Sequence, residues 1–122
     1  MELRNNKGNM QAVSNIKQSQ RLLKLLGSDS TADFWRTPKV GGYKVSTEKS
    51  ANSTPAWSVT ALMGMLVSFE DEENGEAFPR IDCKGNYVYY EANSIAVEAF
   101  AASTLLIDNI IDALEWQRNE LL

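Results

Sequence analysis

No histidine occurs anywhere in the 122 residues. That absence removes the commonest general base, the Ser-His-Asp and Cys-His nucleophile arrangements, and every histidine-based zinc site. Cysteine is nearly absent too. Cys83 stands alone, so no internal disulfide forms and nothing indicates an oxidising compartment. Without a histidine to activate it, Cys83 reads as an ordinary strand residue rather than a nucleophile. No apolar run approaches the roughly 20 residues needed to cross a bilayer, and the opening "MELRNNKGNM" lacks the apolar centre of a signal peptide. These absences lead to the expectation of a cytoplasmic, non-enzymatic protein with no membrane segment, no cofactor and no metal. Phosphate-loop and dinucleotide fingerprints are missing as well.

What is present is enough apolar residue, 43%, to bury a core in a chain of single-domain length. The net charge of −4 hides a split. Residues 1–49 carry nine basic and four acidic residues, a net of +5, whereas residues 50–122 carry three basic and twelve acidic, a net of −9. Such a split suits a molecule that binds charged partners through distinct surfaces, although the two signs can also neutralise each other within a fold. An acidic whole with no recognisable motif in its basic half speaks against nucleic acid as the main partner.

Along the chain, residues 1–14 read as a polar, flexible tail, and residues 15–122 as a single globular α+β domain. A first helix is expected over "SNIKQSQRLLKLLG": Ile16, Leu22, Leu23 and Leu26 share one arc, and Gly27 supplies the stop. "SDSTADFW" predicts a short helical turn ending at Phe34 and Trp35. The stretch from Arg36 to Ser53, with Pro38 and Gly41-Gly42, reads as loop with one short strand at Tyr43–Val45. "NSTPAWSVTALMGML" predicts a nearly all-apolar central helix from Pro55 to about Val67, capped by Ser53 or Thr54.

"AFPRIDCKGNYVYYEA" predicts a hairpin over about 78–91, with Tyr87 and Tyr89 on one face and Val88 and Tyr90 on the other. A long amphipathic helix from Ser94 to about Asn119 is then expected, capped by Asn93 or Ser94. Ala99, Phe100, Leu106, Ile107, Ile110, Ile111, Ala113 and Leu114 fall within an arc of about 160°. The architecture expected is three main helices and a short helical turn around a small antiparallel sheet built on the 78–91 hairpin, which Tyr43–Val45 can join.

Two sets of residues are candidates for binding. Leu105 and Trp116 interrupt the acidic face of the last helix beside Asp112, about 16 Å apart, and Trp is a frequent interface anchor. They point to a protein partner. Alternatively, Lys39, Lys44 and Lys49, with Trp35 and Tyr43 for stacking, form a set suited to a small anionic ligand such as a nucleotide. A homodimer is compatible with either reading. The acidic loop "EDEENGE" does not match a calcium loop: with Gly75 at the glycine position, the bidentate glutamate falls on Ile81.

Three segments carry a resemblance. "QSQRLLKLLGSDSTADFW" resembles an opening of the type "EQSxxLLxLGxxxxTADMYW", "TPAWSVTALMGML" resembles "PAWSLSALLELLP", and the closing "AVEAFAASTLLIDNIIDALEW" resembles "DPxxAAxxMVxWL". Together they are similar to a family of small proteins of gut Bacteroidetes genomes, their phages and mobile elements, from which Val59, Met63 and Gly64 depart. The resemblance implies a non-enzymatic accessory protein acting on a host or phage protein. It implies no catalytic or ligand residues.

Overall fold

The structure, a computed structural model, describes residues 12–122. It is α+β, with three helices and two antiparallel sheets. The chain divides into two compact units, where length alone suggested one; their described residues are Ala12–Leu62 and Met63–Leu122. Most of the 1–14 tail lies outside the described residues. Its end is held in place, because Val13 bridges Ser58 and Ser14 is fully buried.

In the first unit, α1 (Ile16–Leu26) begins with a reciprocal capping box. Asn15 Oδ1 accepts the Gln18 N–H at 2.8 Å, and Gln18 Oε1 accepts the Asn15 N–H at 2.9 Å. Two of the helix's otherwise unpaired donors are thereby satisfied. Gly27 ends it as expected, at φ 75°, where a side chain would be strained. The predicted helical turn at Phe34–Trp35 is instead strand β1 (Phe34–Lys39), and the predicted loop holds β2 (Gly42–Ser46). They form a hairpin with register Trp35↔Ser46 to Lys39↔Gly42, turning through Val40-Gly41, and Gly41 supplies φ 84°.

The predicted central helix is largely corrected. Thr54–Ala56 is β3, paired to β1 through Pro55↔Trp35, and only Val59–Met63 is helical, as α2. Pro55 is tolerated because β3 is an edge strand, and Pro38 lies beyond the last β3 pair, where one side of β1 is open. The cap is Ser58, not Ser53 or Thr54. Its Oγ accepts the Ala61 N–H at 3.0 Å and donates to Asp33 Oδ2 at 2.5 Å, while the Ser58 N–H reaches Asp33 Oδ1 at 2.8 Å.

The stretch still contributes to the core: Trp57 and Leu62 are fully buried, whereas Val59, Met63 and Met65 are half-buried and Val67 is exposed. Trp57 keeps its polar edge satisfied by donating from Nε1 to Thr31 Oγ1 at 3.0 Å. The buried Ser14 hydroxyl links Ser19 Oγ at 2.7 Å and the Trp57 N–H at 3.0 Å, and Arg36 Nε donates to the Ser14 carbonyl at 2.7 Å. Burial lowers the Arg36 pKa from its usual value.

The second unit is a meander in the order β4-β5-β6-β7: Phe69–Asp71, Gly75–Asp82, Tyr87–Ala92 and Ile95–Phe100. The predicted hairpin is there, with Val88 and Tyr90 buried and Tyr87 and Tyr89 half-buried, their rings 5.7 Å apart. Tyr43–Val45 does not join it; that strand belongs to the other sheet.

The long last helix is corrected in its first half. Asn93 and Ser94 adopt φ 53° and 64°, a two-residue hairpin turn rather than a cap, and residues 95–100 form β7. Helix α3 runs Leu106–Glu120, and the predicted apolar arc within it is buried: Leu106, Ile107, Ile110, Ile111, Ala113 and Leu114.

Two buried amides tie α3 down. Asn109 accepts the Ser103 N–H at 3.0 Å and donates to the carbonyls of Asn86 (2.8 Å) and Ser103 (2.9 Å). Gln117 accepts the Val67 N–H at 2.7 Å and donates to the Met65 carbonyl at 3.0 Å.

Candidate interaction surfaces

Trp116 is not a free anchor. Its ring lies 5.4 Å from Phe69, 5.5 Å from Tyr90 and 5.6 Å from Phe100, closing an aromatic cluster beneath α3. Trp116 does lie at the edge of the apolar arc of α3, beside Asp112 and buried Asn109, but Phe69 of β4 and Phe100 of β7 cover that flank. Leu105 occupies the N-cap position of α3 at 37% exposure and supplies no side-chain cap, and Asp112 is half-buried. These three residues do not form an exposed patch.

The cluster contains an anomaly. Tyr90 is fully buried and its hydroxyl has no hydrogen-bond partner. Loss of solvent pushes its pKa up to about 12.

The second set of residues is brought onto or beside one hairpin, but not onto one face. Directly paired residues share a face, and faces alternate along a strand. Trp35, Thr37, Lys39 and Lys44 therefore lie on one side, and Arg36, Pro38, Tyr43 and Val45 on the other. Trp35 and Tyr43 cannot sandwich one base. Lys49 lies 5.1 Å above the Trp35 ring and 3.5 Å from Asp29, so its charge is already partnered. Lys39 and Lys44 have no anionic partner among the described residues. The hairpin also exposes apolar groups: Val40 at its turn is wholly exposed, and Tyr43 and Val45 along one face are 44% and 40% exposed. Sequence reasoning passed over Val40 and Val45, although an X-Gly turn flanked by Phe-Trp and Tyr-Lys-Val marks such a hairpin.

On the other unit, the acidic loop is a tight turn between β4 and β5. Asp71 Oδ2 accepts N–H groups of Glu73 (3.2 Å) and Asn74 (3.0 Å) and the Asn74 amide (3.0 Å). Glu70, Asp71, Glu72, Glu73 and Asn74, with Val97 of β7, line a groove of about 430 Å³. Cys83 is exposed just past β5. No helix among the described residues is long and apolar enough to cross a membrane. None of the protein-family models, curated proteins or solved structures compared with the chain matches it.

Proposed function

We propose that the protein is a non-enzymatic accessory protein of phage or mobile-element type, working in the cytoplasm as an interaction module. Its β1–β2 hairpin grips an acidic segment of a host or phage protein. One observation carries this reading: the hairpin exposes Val40 at its turn and Tyr43 and Val45 along one face, and bears on its other face Lys39 and Lys44, which have no anionic partner among the described residues. Exposed apolar groups lose solvent contact favourably against a complementary surface, and the lysines on the reverse face of the same hairpin select an acidic partner. The absence of histidine from the whole chain supports a binding role over a catalytic one.

A photo-cross-linking amino acid placed at Val40 tests it in cells of the native host. A discrete protein adduct is expected, and Lys39→Glu with Lys44→Glu should reduce it at least tenfold without lowering the unfolding midpoint. An adduct indifferent to the charge reversals, or none, would refute the reading. A thermal shift with free nucleotides that those reversals abolish would favour a small anionic ligand instead.

A further inference from the structure

The two sheets present four edges, and three of them are protected against strand addition. The edge strand β2 carries Lys44 and opens on Gly42, β3 contains Pro55, and β4 is three residues long and acidic. Charge, proline, shortness and β-bulges are the usual means of blocking an edge, and β7 has the weakest set of them, one bulge at Val97 and the single charge of Glu98. The fourth edge, β7, is six residues long, Ile-Ala-Val-Glu-Ala-Phe, with no lysine and no proline. It pairs only with β6 among the described residues, so its outer backbone donors and acceptors are free of ladder bonds. Ile95 is 50% exposed, and Ala96 and Ala99 are exposed too. A register shift between Tyr90 and Glu91 makes Val97 an extra residue on β7, outside the ladder to β6.

The surroundings decide what would pair there. Val97 lines the same groove as Glu70, Asp71, Glu72 and Glu73, and β7 contributes Glu98. Neither Lys nor Arg lines that groove, and residues 63–122 carry twelve acidic and three basic residues, a net of −9. Pairing of two β7 edges would bring two equally negative units together, and a nucleic acid would be repelled. From this we infer that the outer edge of β7 is a strand-addition site for an extended, lysine- or arginine-bearing segment of a partner protein. Main-chain bonds to β7 supply the affinity, and the acidic groove takes the basic side chains. This edge belongs to the other unit from the basic hairpin and is opposite to it in charge.

The test uses the full chain and an end-blocked heptapeptide of alternating lysine and valine. Calorimetry should detect binding, and amide resonance shifts should be largest over residues 95–100. Affinity should fall at least tenfold between 50 and 300 mM salt. The same peptide N-methylated at alternate amides, and a glutamate–valine peptide, should each bind at least tenfold more weakly. Ala96→Lys with Ala99→Lys, both at exposed positions, should abolish binding with the fold intact. Equal binding of the N-methylated peptide, shifts centred away from β7, absence of binding at millimolar peptide, or dimerisation of the free chain through β7 would each overturn the inference.

Discussion

Replacing Tyr90 by phenylalanine should stabilise the protein. The hydroxyl is fully buried beneath α3, surrounded by the rings of Phe69, Phe100 and Trp116, and bonds to nothing. A buried polar group without a partner costs about 1–3 kcal/mol in lost hydration. Removing it recovers most of that cost. The loss of one oxygen's dispersion contacts offsets a few tenths of a kcal/mol. The ring remains, and with it the edge-on contact to Phe69 at 5.0 Å. The expected net gain is about 1 kcal/mol, or roughly 4 °C in the unfolding midpoint for a unit of this size.

Urea unfolding followed by amide resonances of β6 reads the effect locally, which matters because the chain has two compact units. The slope should not change, so the whole effect appears in the midpoint. Alkaline titration provides a second signature. The Tyr90 pKa near 12 lies above the ordinary tyrosine value of about 10, so the folded state favours the neutral phenol. That contribution is complete below pH 10 and is lost as pH rises through 12; the phenylalanine variant should lack this part of the alkaline limb. A destabilisation of 1 kcal/mol or more would refute the reasoning, because it would mean the hydroxyl is bonded in solution.

Asn109→Ala should act in the opposite direction, since it strips partners from the Ser103 N–H and from the carbonyls of Ser103 and Asn86. A loss of about 2–3 kcal/mol is expected by thermal or urea unfolding, with amide exchange rising first near Ser103. Asp82 accepts the Gly85 N–H at 2.9 Å, and that bond, with the Tyr87 hydroxyl, holds its pKa below the usual carboxylate value. Its contribution is present above about pH 4 and is lost as pH falls through the lowered folded value. Asp82→Asn should therefore flatten part of the acid limb of stability against pH.

Elements stabilised by local chemistry were legible in the sequence, and those decided by partners were not. Gly27, the 78–91 hairpin and the alternation of Tyr87 to Tyr90 follow from turn residues and period alone. The buried arc of α3 likewise follows from its 3.6-residue period. "IAVEAFAA" failed because its alanines and apolar spacing suit a helix, yet Asn93-Ser94 folds it back onto β6. Pairing then overrode propensity. "STPAWS" failed for a similar reason: Pro55 suits a helix start, but Trp35 and Phe34 across the ladder claim its backbone. Trp116 is on the last helix as expected, but the strands that carry Phe69 and Phe100 onto it are not legible from helical period. The second was half legible. Its cations were found, but which face each residue takes depends on a hairpin register that composition does not reveal.

The meander bears on how the second unit forms. Each of its strands pairs with its immediate neighbour in the chain, through loops as short as the two-residue turn at Asn93-Ser94. The sequence separation of its pairings is therefore low, and low contact order speeds folding. Strands can be added one after another, each new hairpin docking on the last. Within the chain that growth stops at Phe100, because the residues that follow turn away into α3. The two-residue turn at Asn93-Ser94 makes β6–β7 one of the most local pairings of the meander, and the outer edge of β7 is still open when the meander is complete.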